Sequence, residues 1–280
     1  MGVKAAGILG NAMNNNNYID TINKKTMRSA VAQYSVVPNT WSDKLTPAEK
    51  EALAAIADEA RNKPILDLGV GAGRTVKPLL EISNNYVGVD YIHEMVEECR
   101  NRFPGVNFVQ ADARGLSQFK DNSFFLIVFS CNGICMVDHK GRLAILREVH
   151  RLLEPGGVFI FQTYNRDSFS RNTFINLPDF QPTNNPAKFI MRGIRFLSHT
   201  MIRIINRLRF KRFEQHCGTY AIKNDACHDY ATMLYYISVE NQCKQLDTIG
   251  FRKDVQIFDS AGQTITAGTK ENDFTLLVRK

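Results

Sequence analysis

Three alternating glycines directly behind a short apolar segment constrain the fold of this chain more than any other feature. The segment Ile65–Leu68 is followed by Gly69, Gly71 and Gly73, and then by a helical pattern. Glycine at every second position lets the backbone turn with positive φ, lets a ligand approach the main chain, and lets the next helix pack near the strand. The sequence therefore predicts a strand, loop and helix that bind a nucleotide-type cofactor.

The spacing of the glycines indicates which cofactor the loop binds. A dinucleotide fingerprint requires a glycine at position 74, where this chain has Arg74. The arrangement of Asp67, Gly69, Gly71 and Gly73 at every second position resembles the first motif of class I S-adenosylmethionine-dependent methyltransferases. The resemblance implies a loop that supports an amino acid and a nucleoside rather than phosphates.

Later segments continue this resemblance in the same order. Tyr86–Asp90 reads as a second strand that ends in an acid, and residues 106–113 read as a third strand with Asp112 near its end. Residues 124–130 form a continuous apolar run, as expected of a central parallel strand, and residues 154–161 match the family's Pro-Gly-Gly turn and fifth strand. The resemblance covers about residues 45–165.

The resemblance implies a cofactor site at the carboxyl ends of these strands. There Asp90 would accept both ribose hydroxyls and Asp112 would meet the adenine amino group. A single acid after a strand is often only a helix cap, but three polar positions at the ends of successive strands favour a ligand site. The residues expected to contact S-adenosylmethionine, whose product is S-adenosylhomocysteine, are Asp67, Gly69, Gly71, Gly73, Asp90, Tyr91, Asp112, Ala113 and Ser130.

The alternation of strands and helices predicts an α/β fold with a doubly wound, mostly parallel sheet, and the resemblance implies seven strands, N-terminal helices and an inserted helical lid. We expect a mobile N-terminal segment and cap over residues 1–45, because the asparagine tract at 14–17 has nothing to bury. A cofactor-binding core follows over 46–165, beginning with a capped helix over about 46–61. A helical lid is expected over 166–238, and a helix and strand pair over 239–280 complete the sheet.

Residues 188–212 predict a basic amphipathic helix, since they contain eight Lys and Arg residues and no acid. One face carries Arg192, Arg195, His199, Arg203, Arg207 and Lys211, and the opposite stripe is Ile190, Ile194, Leu197, Met201, Ile204 and Leu208. Three interpretations compete: a lid helix with its apolar face packed on the domain, a helix at a membrane surface, and a site for a phosphorylated substrate or nucleic acid. Nucleic acid is disfavoured because no RNA-binding module is recognisable.

A cluster of polar aromatic and acid/base residues after this helix is expected to contact the substrate. His228 is a candidate general base oriented by Asp225 or Asp229, with Tyr220 and the N-terminal Tyr34 as further catalytic candidates. The alternatives are a structural histidine and tyrosines that only pack. No metal is expected, because the spacing of His216, Cys217, Cys227 and His228 matches no common zinc module. The substrate candidates are Tyr164, Asn224, Tyr230 and Tyr235.

These features predict a methyltransferase that acts on a small, partly apolar or phosphorylated metabolite, an isoprenoid-type acceptor included. The alternatives are methylation of RNA or protein, and a non-catalytic subunit that only binds the cofactor. The chain has no apolar run of about 20 residues, and its six cysteines form no C-x-x-C pair, so a cytoplasmic protein is expected. The acceptor atom stays open, because Phe125 and Cys135 stand where many relatives carry acids. The oligomeric state also stays open.

Overall fold

The computed structural model describes residues 15–34, 44–168, 175–266 and 268–280. Within them the helices are α1 Asn15–Tyr34, α2 Pro47–Ala54, α3 Ala57–Ala60, α4 Val76–Ile82, α5 His93–Arg102, α6 His139–Leu152, α7 Pro186–Phe210 and α8 Val239–Ile249. The strands are β1 Ile65–Leu68, β2 Tyr86–Asp90, β3 Asn107–Gln110, β4 Phe124–Phe129, β5 Leu153–Asn165, β6 Gln215–His216, β7 Tyr220–Asp225, β8 Thr232–Ile237, β9 Gln256–Phe258 and β10 Asp273–Arg279.

Seven of the strands form the sheet that the sequence predicts. Strands β3, β2, β1, β4 and β5 lie side by side in that order and run parallel. Strand β10 pairs antiparallel with β5, and β9 pairs antiparallel with β10. Leu66 and Leu68 of β1 belong to one hydrophobic cluster while Ile65 belongs to another, so the strand is buried on both faces. The doubly wound α/β fold is confirmed.

The insertion between β5 and α8 contains three strands, β6 to β8, that the sequence analysis did not predict. Phe161 of β5 pairs with the last residue of β4 on one side and with β10 on the other. Three residues later, Tyr164 pairs with β10 and with Tyr236 of β8. Strand β8 therefore lies on the side of β5 where β4 has already ended. The antiparallel pair β7 and β8 thus forms a wall beyond the carboxyl end of β4.

Helix α1 differs from the expected mobile segment. The helix already begins at Asn15, and Ile19 and Ile22 are buried against the core. Its Asn23 side chain donates hydrogen bonds to the carbonyl oxygens of Met136 and Met233 over 2.7 and 2.8 Å. The helix is therefore held across the wall strand β8 and the turn that follows β4. Residues 1–14 lie outside the described part of the chain.

The helix predicted at residue 46 begins as expected and ends early. Thr46 caps α2 by accepting a hydrogen bond from the Glu49 backbone N–H, and the Glu49 carboxylate accepts one from the Thr46 N–H over 2.8 Å. The chain leaves helical geometry at Ile56, which is the non-helical cap of α3. The remaining helices of the core, α4, α5 and α6, follow β1, β2 and β4, as the alternation of strands and helices predicts, and α8 precedes the last strand pair.

Candidate functional site

The glycine loop adopts the left-handed backbone that its sequence predicts. The φ angles of Gly69, Gly71 and Gly73 are 64°, 54° and 87°. A Cβ atom at Gly73 would lie 2.5 Å from the Phe103 ring, so this glycine lets α5 pack against the loop. A Cβ atom at Gly71 would meet only one atom within 4 Å, the carbonyl oxygen of Gly69 at 3.9 Å. Gly71 is therefore the glycine that faces open space.

Asp90 ends β2 beside this open space. Its carboxylate accepts hydrogen bonds from the backbone N–H groups of Gly71 and Ile92, each over 2.9 Å. Burial raises the pKa of Asp90, although these two backbone donors oppose the rise. Each carboxylate oxygen can accept more than one hydrogen bond, so the pair of oxygens can still accept from a ligand.

Asp67 lies beneath the loop rather than in the cavity. Its side chain is buried and accepts hydrogen bonds from Thr75 over 2.5 Å and from the Tyr86 hydroxyl over 2.9 Å. Burial raises the pKa of Asp67 to about 6. Thr75 lines the cavity, so Asp67 supports the site through Thr75 and does not face the cofactor position itself.

A cavity of about 290 Å³ joins the glycine loop to the inserted strands. One side is formed by the loop and the ends of β2 and β4, with Gly69, Gly71, Asp90, Tyr91, Ser130 and Cys131. The opposite side is formed by residues of β5, β8 and the turn before β8, with Tyr164, Cys227, His228 and Leu234. The cavity therefore has one wall from the glycine loop and the ends of β2 and β4, and a second wall from β5 and the insertion.

Arg74, which replaces the glycine of a dinucleotide loop, is fixed on the cavity wall by Glu49 of α2. Its guanidinium donates to the two Glu49 carboxylate oxygens over 2.7 and 2.6 Å, and both side chains hydrogen-bond Ser130. Burial alone would raise the pKa of Glu49, but the bonds and charge of Arg74 and the Ser130 bond hold it below its ordinary value. Ser130 therefore lines the cavity and is hydrogen-bonded to both members of the Arg74 and Glu49 ion pair.

Asp112 and Ala113 line a separate, smaller cavity of about 50 Å³. Arg114 donates to both carboxylate oxygens of Asp112, over 2.9 and 2.6 Å, and also bonds Asp20 of α1. The two cavities share Tyr91, Gly133 and Met136, so they adjoin at these residues. The predicted cofactor residues other than Asp67 and Gly73 thus line two neighbouring cavities, and α1 forms part of the smaller one.

This geometry coincides with a recognised domain. A family model described as a methyltransferase domain matches residues 65–157, which run from β1 into β5 and include the glycine loop, Asp90 and Asp112. Residues 65–157 form a class I S-adenosylmethionine-dependent methyltransferase domain. The family predicted from the glycine motif is confirmed for this domain.

Curated relatives match this chain over about half of its length. A probable S-adenosylmethionine-dependent methyltransferase of Mycolicibacterium smegmatis is 28% identical over 43% of this chain and 46% of its own length. A trans-aconitate 2-methyltransferase of Acidovorax ebreus is 32% identical over 43% of this chain and 45% of its own length. The ubiquinone/menaquinone biosynthesis C-methyltransferase UbiE of Coxiella burnetii is 26% identical, over 52% and 61%. The chain spans about half the length of the curated relatives it matches.

Solved structures extend the similarity in fold to nearly the whole chain. A 1,6-didemethyltoxoflavin-N1-methyltransferase of Burkholderia thailandensis, solved with S-adenosylhomocysteine, superposes with a TM-score of 0.58 at 14% identity. The match covers 100% of this chain and 93% of the other. The CcbJ methyltransferase of Streptomyces caelestis gives a TM-score of 0.57 at 17% identity, covering 86% and 99%. At these identities the similarity shows the fold.

The residues of this domain fit the family's cofactor. The void beside Gly71 admits a ligand against the backbone, and the Asp90 carboxylate stands at the same place to accept hydroxyl hydrogens. A cavity with an acid beside an open glycine backbone matches a nucleoside with hydroxyl groups.

His228 lies on the insertion side of the cavity, where the sequence analysis expected it near the substrate. It belongs to three consecutive residues, His228, Asp229 and Tyr230, with φ of 49°, 54° and 60°. Its ring has no hydrogen-bond partner within the described residues, and burial lowers its pKa. Asp225 and Asp229, expected to orient the ring, bond elsewhere: Asp225 accepts from Tyr236, and Asp229 accepts from α7.

Four other candidates from the sequence lie away from the larger cavity. Tyr220 and Tyr235 stack on each other with ring centroids 5.0 Å apart, and Tyr235 is completely buried. Asn224 donates to the carbonyl oxygens of Tyr230 and Thr232, while the Tyr230 hydroxyl accepts from Asn176. None of these four lines the larger cavity.

The strand residues among these candidates lie away from the cavity because successive side chains along a strand point to opposite faces of the sheet. Register places Tyr220, Asn224 and Tyr235 on one face of the pair, whereas Leu234 and Tyr236 lie on the other face, toward the cavity. Tyr164 of β5 lines the cavity and stacks on Tyr236 at 5.2 Å. Tyr34 is the last residue of α1, and its side chain lies outside the described part of the structure.

Helix α7 is amphipathic as predicted, but its orientation is the reverse of a packed lid helix. Its His199 and Arg203 each bond the Asp229 carboxylate over 2.7 Å, and Arg207 bonds Glu214 and the Asn224 carbonyl. The apolar stripe faces outward instead, since its members Ile190, Ile194, Leu197, Met201, Ile204 and Leu208 are exposed. The interpretation that the apolar face packs on the domain is therefore wrong.

Two groups that shape the cavity were missed at the sequence level. Glu49, part of the capping sequence of α2, holds Arg74 on the cavity wall, and Met27 of α1 lines the cavity itself. Local sequence carries no signal for the Glu49 and Arg74 pair, because the two residues are 25 positions apart. Within the described residues, no helix is long and apolar enough to cross a bilayer.

Proposed function

We propose that this protein transfers a methyl group from S-adenosylmethionine to a small, partly apolar metabolite. The observation that carries the proposal is the single cavity bounded on one side by the glycine loop and Asp90 and on the other by Tyr164, Leu234 and His228. A donor held by the first wall and an acceptor held by the second would meet within one enclosed space. Holding two reactants in this way supplies much of the rate acceleration of a displacement reaction.

The chain's own groups have separate roles in this proposal. Asp90 would hold the ribose hydroxyls, the Gly71 backbone would contact the nucleoside, and Arg74 would stand near the amino acid end. When bound, S-adenosylmethionine supplies a sulfonium methyl group that is already activated for displacement. The acceptor wall is supplied by β5, the insertion and the turn after β4, and its lining is mainly apolar, with Tyr164, Leu234 and Met136.

His228 is the group suited to remove a proton from an oxygen or nitrogen acceptor. Because burial lowers its pKa, the imidazole is neutral at pH 7 and has a nitrogen free to accept the proton. The stacked pair Tyr164 and Tyr236 presents aromatic surface on the same wall. Aromatic faces attract cations, so this surface also suits the positive charge that alkylation of an alkene carbon would create.

The experiment that tests the proposal follows the methyl group. Purified protein is incubated with methyl-labelled S-adenosylmethionine and fractionated cell extract, and label is measured in organic-soluble, small aqueous and macromolecular fractions. Label in either small-molecule fraction supports the proposal. Label confined to RNA or protein would contradict it, and transfer that equals that of an Asp90→Ala variant would show that the cavity is not the donor site.

A further inference from the structure

The outward face of α7 is an exposed apolar surface that the cavity does not explain. Ten large apolar side chains of this helix are between 37% and 72% exposed, and all except Phe189 form one stripe, namely Ile190, Met191, Ile194, Leu197, Met201, Ile202, Ile204, Ile205 and Leu208. At 1.5 Å per residue the stripe extends for about 28 Å along the helix. Scattered apolar residues are ordinary on a protein surface, but a contiguous stripe of this length indicates an interaction site.

The charges along this face have a defined pattern. The inward arginines Arg203 and Arg207 are paired with Asp229 and Glu214. By contrast, the exposed residues Lys188, Arg195 and Arg209 follow one edge of the apolar stripe, and we call these three the cationic rim. No acid occurs between residues 188 and 212. The exposed side of α7 therefore combines an apolar stripe with unneutralised positive charge.

We propose that this face of α7 docks on an anionic phospholipid surface. A helix that lies in a membrane interface buries its apolar side among the acyl chains and places cationic residues among the head groups. The cationic rim complements anionic head groups, with a contribution that grows with each Lys or Arg near the surface. A second copy of this chain fits less well, because twofold pairing of the stripes would bring two cationic rims together without an acid between them.

Docking through α7 would place the cavity close to the lipid. The inner side of the helix bonds Asp229, and the adjacent His228 lines the cavity. An acceptor that partitions into the bilayer would then be near the acceptor wall. Membrane docking itself does not require the proposed reaction, so it is tested without cofactor or acceptor, and its failure would leave the methyl-transfer proposal to its own experiment.

The test is co-sedimentation of the full chain with vesicles. We expect the protein to pellet with vesicles of phosphatidylcholine mixed with phosphatidylglycerol, and to pellet less with phosphatidylcholine alone. The double variant Ile194→Glu/Met201→Glu should weaken partitioning about tenfold or more, because it places charge in the centre of the apolar stripe. Arg195→Gln should weaken binding to the anionic vesicles about fivefold, the value of one surface charge.

A matched control carries the same added charge elsewhere. Asn101→Glu/Gln118→Glu alters two exposed residues outside α7 and should pellet like the wild type. All variants should melt like the wild type, since the altered side chains of α7 are not packed. The proposal is overturned if the wild type stays in the supernatant with both vesicle types, or if the α7 double variant pellets equally well. It is also overturned if sedimentation velocity shows a wild-type dimer that the α7 double variant dissociates, which would assign the face to a second copy.

Discussion

The Glu49 carboxylate receives two hydrogen bonds from the Arg74 guanidinium, over 2.7 and 2.6 Å, and its remaining acceptor positions are filled by the Thr46 N–H and the Ser130 hydroxyl. Four donors thus converge on one buried carboxylate. The same side chain caps α2, fixes the arginine on the cavity wall and anchors the end of β4. A single acid thereby connects the first helix of the core to the cofactor loop.

Replacement of Glu49 by Gln should destabilise the protein even though the two side chains have the same size. An amide would direct an NH2 group at donors and would leave the buried Arg74 charge unpaired, which costs about 3 to 5 kcal/mol when one partner of a buried pair is removed. Urea denaturation measures this loss. Glu51→Gln, on the exposed side of the same helix, is the control and should change the free energy of unfolding by less than about 0.5 kcal/mol.

Replacement of Asp90 by Asn should weaken S-adenosylmethionine binding about ten- to a hundredfold. The variant loses charge-assisted hydrogen bonds to the ribose, each worth about 1.5 to 3 kcal/mol. Titration calorimetry with S-adenosylmethionine and with S-adenosylhomocysteine measures the change, and Asp58→Asn, at an exposed carboxylate, serves as the control. An unchanged dissociation constant for Asp90→Asn would show that the ribose assignment is wrong.

If His228 is the general base, kcat/KM should fall as the pH drops below the pKa of its ring. Burial lowers this pKa from the ordinary value, so the acidic limb of the pH profile should have its midpoint below pH 6.5. His228→Asn, which tolerates the left-handed backbone, should lower kcat about 10²- to 10⁴-fold and abolish this limb. The exposed His216→Asn should keep both the rate and the limb; a limb that persists in His228→Asn assigns it to another group.

Asp67 should make the protein less stable as the pH rises from about 4 to 7. Its pKa is raised by burial to about 6 in the folded state, so the folded chain holds this proton more tightly than the unfolded chain. The resulting stability is complete below the unfolded pKa and is lost as the pH rises through about 6, a change of about 3 kcal/mol. Asp67→Asn should therefore gain stability relative to the wild type over this interval, measured by urea denaturation at both ends.

The matched comparison is Asp58→Asn, whose carboxylate is exposed. Its stability relative to the wild type should change little between the same two pH values. A parallel course for Asp67→Asn and Asp58→Asn would mean that the buried Asp67 carboxyl is not the source of the pH dependence.

The parts of the fold that were predictable are those specified by local sequence. The glycine loop and the strands around it could be located because each carries its own sequence signal. The loop has alternating glycines, which adopt positive φ in the structure, and β4 is a continuous apolar run. The extent of helix α1 was not predictable, because its asparagines have low helix propensity and its stability comes from buried contacts of Ile19 and Asn23 with distant segments.

The acceptor side of the site was less predictable, because amino-acid composition does not specify which face of a strand or helix points toward the cavity. Tyr220 and Tyr236 lie in paired strands of similar composition, yet only the register decides that Tyr236 faces the cavity side. Helical periodicity likewise identified the two faces of α7 but not which of them contacts the protein. The acids that select its basic face, Glu214 and Asp229, lie in other segments.

The three consecutive left-handed residues at 228–230 form a strained turn. Residues with side chains in this conformation cost about 1 to 3 kcal/mol each and persist only where the surroundings hold them. Here the restraint comes from α7, through bonds to both the Asp229 carboxylate and its backbone carbonyl. Displacement of α7 would break these bonds and allow the turn to relax away from the cavity together with the His228 ring. The position of His228 in the cavity therefore depends on the position of the surface helix α7.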